Sequence, residues 1–208
     1  MQLMQLSNIK GKISQYIKTP PFVLLERALR KVPFNPVEVE WLYVLKHTGV
    51  LTGSPSRGPG YIREAKLDDA CEMAQLGSKL ELFEQRFEEK EHAAVAVVDG
   101  KIVAYSWFSE KPFHFEDHHQ YNLPIPPDSI YGYDLYIHPK YRMSGLWVKF
   151  MIYLADLMKK SGRVSIITMV EYGNFISMNT HIRFGFTPLR VVRIIKVLGS
   201  RMYMEKNI

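Results

Sequence analysis

Apolar and polar positions alternate with a period of two from Val37 to Leu45, where Val37, Val39, Trp41, Tyr43 and Leu45 are interrupted by Glu38 and Glu40. That spacing predicts a strand with one buried face, able to extend a larger sheet. Tyr61 to Ala65 reads as a short strand. Asp68 or Asp69 can then cap a helix running toward Gly77, and a heavily charged second helix occupies about residues 78–89. Ala93 to Val98 and Ile102 to Phe108 flank Asp99-Gly100, the dipeptide that suits a two-residue hairpin turn. Ile130 to Ile137 is a strand stopped by Pro139. After a basic turn, a helix starts near Gly145, and its residues from Trp147 to Met158 leave only a narrow polar stripe of Lys149, Tyr153, Asp156 and Lys160. Gly162 ends that helix. A strand over 163–170, a helix over 174–183 closed by Gly185, and a final hairpin around Gly199 complete the order.

Composition narrows the class without choosing a chemistry. The chain has 208 residues, 47% of them hydrophobic and 23% charged, which suits one buried domain plus an extension. The expected division is a helical and strand extension with linker over 1–57, and a main domain over 58–208. A single cysteine, Cys71, excludes an internal disulfide and reads as a packed helix residue. No apolar run approaches the roughly 20 residues needed to cross a bilayer, so a cytoplasmic protein is expected. The formal charge of +6 favours anionic partners.

Some segments invite a chemistry that their pattern does not support. The run Gly53 to Gly60 is glycine-rich but lacks the lysine and hydroxyl residue of a phosphate-binding P-loop, so it reads as a linker. His114, Glu116, Asp117, His118 and His119 offer metal-ligand atoms in a polar segment between Lys111 and Asp128. Their spacing matches no established site, and we expect a solvated or acceptor-facing loop and no metal. Residues 1–31 carry six basic residues against Glu26, which suits a membrane surface, a partner or packing on the main domain.

The strand-to-helix turn is the strongest chemical signal. A helix start presents unpaired N–H groups and the positive end of the dipole, so a turn holding Arg142, Ser144 and Gly145 suits a phosphate.

The element order, with the local stretches YIREAKLDDA, DLYIHPKYRMSGLW and NFISMNTHIRFGF, resembles the GNAT N-acetyltransferase superfamily over about residues 60–206. The resemblance implies an α/β fold of the α+β kind, with a mixed, mostly antiparallel central sheet flanked by helices. It also implies acetyl-coenzyme A as co-substrate and an amine acceptor that attacks the thioester directly. The pyrophosphate turn falls on Arg142, Met143, Ser144, Gly145, Leu146 and Trp147, with Trp147 where the family carries a small residue. Backbone N–H groups near Tyr136 and Ile137 would polarise the carbonyl and hold the pantetheine arm. Asn174 and Ser177 keep the spacing of the C-terminal match, and His181 stands where the family's tyrosine protonates the departing thiolate. Asp134 is the first candidate to take the ammonium proton, with Tyr133 as a secondary catalytic candidate.

Two other readings follow from the same residues. With Trp147 in the turn, Lys140, Arg142 and Lys149 would suit an acidic acyl carrier protein as donor. A GNAT-like binding module using its basic surface is the non-enzymatic alternative, although no nucleic-acid-reading motif is present. The acceptor has no recognisable code, and a homodimer remains open.

Overall fold

The computed structural model describes residues 37–48 and 58–208. The basic segment 1–31, most of the linker and the expected boundary at residue 57 therefore lie outside the described residues. The described residues fall into two compact units, one within Met1–Lys46 and Met169–Ile208 and the other within His47–Thr168. The architecture is mixed α/β with mostly antiparallel strands flanked by helices, as expected. Among the described residues, no helix is long and apolar enough to cross a membrane.

The unit His47–Thr168 carries β2 (Tyr61–Glu64), α1 (Ala70–Ala74), α2 (Leu80–Glu88), β3 (His92–Val98), β4 (Lys101–Ser109), β5 (Phe113–Glu116), β6 (Tyr121–Pro124), β7 (Ser129–Ile137) and α3 (Leu146–Lys160). The first strands of this unit run in the order β7-β4-β3-β2 and are antiparallel. Asp99 and Gly100, with φ of 51° and 76°, make the β3–β4 turn as the sequence predicts. β8 (Ser165–Glu171) begins in this unit and pairs with β7 in parallel from Ser129↔Ser165 to Tyr131↔Ile167.

Helices cover both faces of β4, which explains its almost unbroken apolar run. On one face Phe83 of α2 packs on Tyr105 and Trp107, with ring centroids 5.0 and 5.5 Å apart. On the other, Tyr153 of α3 meets Phe108 at 6.2 Å. α3 buries Leu146, Phe150, Met151, Leu154, Ala155 and Met158, and it comes close enough that a Cβ on Gly132 would lie 3.2 Å from Leu154. α1 is too short for an amphipathic stripe. It buries Ala70 and Met73 and leaves Cys71 exposed, not packed as the sequence suggested.

The other unit contains most of β1 (Val37–Thr48), the end of β8, α4 (Phe175–Arg183), β9 (Thr187–Val197) and β10 (Ser200–Asn207). β1 pairs antiparallel with β9 from Val37↔Val197 to Lys46↔Thr187, so the expected strand is a full sheet member. β9 and β10 form the closing hairpin, turning at Leu198 and Gly199 with φ of 47° and 86°.

Candidate active site

β7 is the strand on which the candidate chemistry converges. Between the pairs Trp107↔Tyr133 and Tyr105↔Tyr136, β4 advances by two residues while β7 advances by three. β7 thus carries a bulge, and Asp134 sits in it with a left-handed φ of 45°. The bulge interrupts the alternation, and Asp134 and Tyr136 both meet residues on the α2 side of the sheet. Tyr136 stacks on Tyr105 at 5.8 Å and 18°, and Tyr105 packs on Phe83 of α2. Asp134 accepts a hydrogen bond from Arg86 Nη1 at 2.5 Å. The Arg86 guanidinium lies 5.1 Å from the ring centres of both Trp107 and Tyr133, an arrangement that fixes the bulge from α2.

The ladder to β8 stops at Tyr131, while β7 continues to Ile137. Within this unit, among the described residues, that edge has no ladder partner on the β8 side from Gly132 onward. His138 N–H returns to Val103 carbonyl at 2.9 Å, and a short 3-10 turn over Pro139–Tyr141 leads to α3. Gly145 is the N-cap of α3 with φ 83°, a conformation that glycine adopts without a Cβ penalty. Arg142 Nε donates to Ile137 carbonyl at 3.3 Å and the Ser144 hydroxyl to Tyr141 carbonyl at 2.6 Å, which shapes the turn.

The turn therefore gathers Arg142, Met143, Ser144, Gly145, Leu146 and Trp147 at a helix start, beside the strand that carries Tyr133, Asp134, Tyr136 and Ile137. Leu146 is buried, Trp147 is half-buried, and Lys140 and Arg142 are exposed. Such a turn fits an anion without a bulky side chain at its N-cap. Lys149 has another task. Its Nζ donates to the carbonyls of Gly58 and Gly60 at 2.6 Å each, tying the incoming chain to α3.

Asn174, Ser177 and His181 come together on α4, in the other unit. Asn174 Oδ1 accepts from Ser177 N–H at 3.1 Å, capping the helix. His181 is buried, with Nδ1 2.8 Å from Ser177 carbonyl and its ring edge-on to Phe186. A carbonyl can only accept, so Nδ1 carries the proton and Nε2 is left as an acceptor in the neutral ring. Burial pushes the His181 pKa down, against the charged form.

The segment expected as a solvated or acceptor-facing loop forms a hairpin with buried polar groups. β5 and β6 pair from Phe113↔Pro124 to Glu116↔Tyr121. Tyr131 donates its hydroxyl to Glu116 Oε1. His114 Nε2 lies 3.7 Å from Glu116 Oε1, and its Nδ1 lies 4.0 Å from Glu91 Oε1. The His114 ring centre is 4.1 Å from that of Tyr133. Burial holds His114 down at about 4, helped by the charges of Arg86 and Lys111, and burial pushes the Glu116 carboxyl up. Arg86, Glu91 and this His-Glu pair were not read from the sequence as site residues. The alternation Phe113, His114, Phe115, Glu116 was the available signal.

A family model described as the acetyltransferase (GNAT) family matches residues 61–186, from β2 to the start of β9. A search of curated proteins returns no match. Among solved structures, a conserved protein of unknown function from Staphylococcus epidermidis is similar, with 11% identity and a TM-score of 0.59 over 87% of this chain and 69% of that one. A GNAT-family protein from Novosphingobium aromaticivorans has 15% identity and a TM-score of 0.57, over 80% of this chain and 70% of its own. A GNAT-family acetyltransferase from Colwellia psychrerythraea has 15% identity and a TM-score of 0.52 over 76% of this chain, which spans 55% of that protein. At these identities the likeness speaks to the fold.

Proposed function

Because this chain belongs to the acetyltransferase (GNAT) family, we propose that it transfers an acetyl group from acetyl-coenzyme A to a primary amine by direct attack on the thioester. The observation that carries this reading is the sequence of features along one segment: a bulged strand that runs on past its ladder with β8, then a turn whose glycine opens a helix. The amides at the start of α3 offer N–H donors and a positive dipole end to the coenzyme's diphosphate, with Arg142 as the nearby cation. The edge of β7 beyond its ladder with β8 would offer alternating N–H and carbonyl groups to the amides of the pantetheine arm, as an added strand would use them. A β7 N–H beside the bulge would donate to the thioester oxygen as negative charge develops there.

The side chains divide the remaining work. Asp134 and Arg86 hold the bulge in shape, so the backbone donor is fixed before the donor substrate arrives. Asn174 and Ser177 set the first turn of α4 and the ring of His181. In its neutral form His181 accepts a hydrogen bond at Nε2, so protonation of the departing thiolate by this residue requires the doubly protonated ring. The engagement of Lys149 with Gly58 and Gly60 removes one of the cations on which docking of an acidic carrier protein would draw, which favours the free coenzyme as donor.

Tryptophan fluorescence titration with acetyl-coenzyme A, followed by a thiol-release screen across amine classes, tests this reading. Saturable binding in the micromolar range with release of thiol in the presence of an amine is expected. No binding at millimolar acetyl-coenzyme A would overturn it.

A further inference from the structure

β10 stands at the end of the order β1-β9-β10, and among the described residues its ladder is with β9. Folded proteins usually blunt such an edge with a proline, a bulge or a very short strand. β10 has none of these. It runs for eight residues, contains no proline, and keeps an unshifted register with β9 from Ser200↔Val197 to Asn207↔Arg190. Met202, Tyr203 and Met204 in its middle are 56%, 39% and 54% exposed. Side chains alternate along a strand, so the two methionines lie on one face and the tyrosine on the other. An edge of this length with apolar side chains on both faces is a template for another strand.

The order of residues along β10 says which strand that is. Only alternate residues turn their N–H and carbonyl groups to the outer edge, so two antiparallel copies of β10 related by a two-fold axis pair only in registers centred on a residue. Centring on Tyr203 sets Tyr203 against itself, Met202 against the partner's Met204, and Arg201 against the partner's Glu205. Symmetry repeats each of the last two contacts. One face then carries two opposite-charge pairs flanking an aromatic pair, and the other carries two methionine pairs, all of them stabilising cross-strand neighbours. Other centres lack this match. A shift to Met202 or Met204 leaves Arg201 and Glu205 opposite uncharged residues, and a shift to Arg201, Glu205 or Lys206 sets a charge against its own copy. The surroundings of Arg201 point the same way. Its ladder neighbour on β9 is another cation, Lys196, whose ammonium is held by Glu40 at 2.5 Å and Glu38 at 3.7 Å. Arg201 Nη1 is buried without a hydrogen-bond partner among the described residues. Glu205 accepts from Arg190 Nη1 at 2.6 Å with its side chain 40% exposed, and a carboxylate has about four acceptor positions, enough for a second guanidinium.

From this self-complementary order we infer that β10 is an interaction surface for a second copy of the chain, which it pairs with as an antiparallel strand centred on Tyr203. Backbone hydrogen bonds between the two edges supply the affinity, and the side chains fix the register. The contact is one strand wide, at the small end of the range for specific interfaces, so the dimer forms and dissociates reversibly in the micromolar range. The inference does not depend on the acetyl-transfer reading, and the failure of either leaves the other standing.

Sedimentation velocity of the full chain, from low micromolar to millimolar concentration, reads the association. The wild type is expected to pass from a 24.2 kDa monomer to a dimer of twice that mass. Arg201→Glu and Glu205→Arg each set like charges opposite one another at both symmetric contacts, so each alone is expected to raise the dimer Kd by about tenfold or more. An equimolar mixture of the two variants restores opposite charges at both contacts and is expected to dimerise with a Kd within about threefold of wild type. That rescue also shows that both variants fold. Cross-linking reads the register, because directly opposed residues of antiparallel strands lie about 4.5–5.5 Å apart, within disulfide reach. In a Cys71→Ser background, Tyr203→Cys is expected to oxidise to a covalent dimer. Met202→Cys alone is not, whereas Met202→Cys mixed with Met204→Cys is. A wild type that stays monomeric throughout overturns the inference, and so does a dimer whose Kd the charge variants leave unchanged or whose mixed variants show no rescue. Slow hydrogen exchange over residues 201–206 in a strictly monomeric chain assigns the edge to another segment of the same chain and overturns it as well.

Discussion

Replacing Arg86 by methionine tests how the bulge is held. Its guanidinium donates to Asp134 at 2.5 Å, and the two side chains are 17% and 32% exposed. Fully exposed ion pairs contribute about 0–1 kcal/mol, and removing one partner of a buried pair costs about 3–5 kcal/mol. This pair lies between those limits, so the charge contact accounts for about 1–2 kcal/mol after allowance for solvent screening. The guanidinium also sits over two rings, worth about another 1 kcal/mol. Arg86→Met is therefore expected to lose about 2–3 kcal/mol in urea unfolding. In a double-mutant cycle with Asp134→Asn, the coupling should be about 1–2 kcal/mol and should shrink in high salt. A coupling below about 0.3 kcal/mol would refute the claim that α2 clamps the bulge through this pair.

Three other outcomes follow from the structure. Gly60→Ala places a Cβ 2.0 Å from the Val97 carbonyl oxygen at a φ of 68°, so it should destabilise by more than about 3 kcal/mol or prevent folding, read by circular dichroism of the purified chain. Gly145→Ala forces a side chain into a left-handed N-cap and should destabilise the chain by about 1–2 kcal/mol, measured as a lowered urea midpoint. His114 has its pKa depressed from 6.5 to about 4, so the unfolded chain binds more protons and stability falls as pH drops below 6.5 toward 4. His114→Phe should remove up to about 3 kcal/mol of that dependence, measured as urea midpoints between pH 7 and 4.

Where local pattern and packing agreed, the sequence was legible. The Asp99-Gly100 hairpin, the helix opening at Gly145 and the helix capped by Asn174 each rest on a local rule, and each forms where that rule puts it. The alternation from Val37 to Leu45 likewise predicted β1, although its partner β9 lies some 150 residues away and no local pattern identifies it. Asp134 shows what a period-two reading leaves out. One extra residue in β7 turns its side chain toward Arg86, and that interruption depends on the register with β4. The β5–β6 hairpin shows the opposite difficulty. Its alternation was present, but polarity suggested a solvated or acceptor-facing loop, because hydropathy assigns the aromatic positions to the core and the structure turns them out. A strand that buries its polar face is legible only when its neighbours are known.

The account stands on the seating of the donor at β7 and the start of α3, and hydrogen exchange of the full chain with and without acetyl-coenzyme A tests that most directly. Slowed exchange confined chiefly to backbone amides of 132–138 and 143–149, saturating at micromolar ligand, is the predicted result. Binding that leaves those amides unchanged and protects a different segment would contradict it.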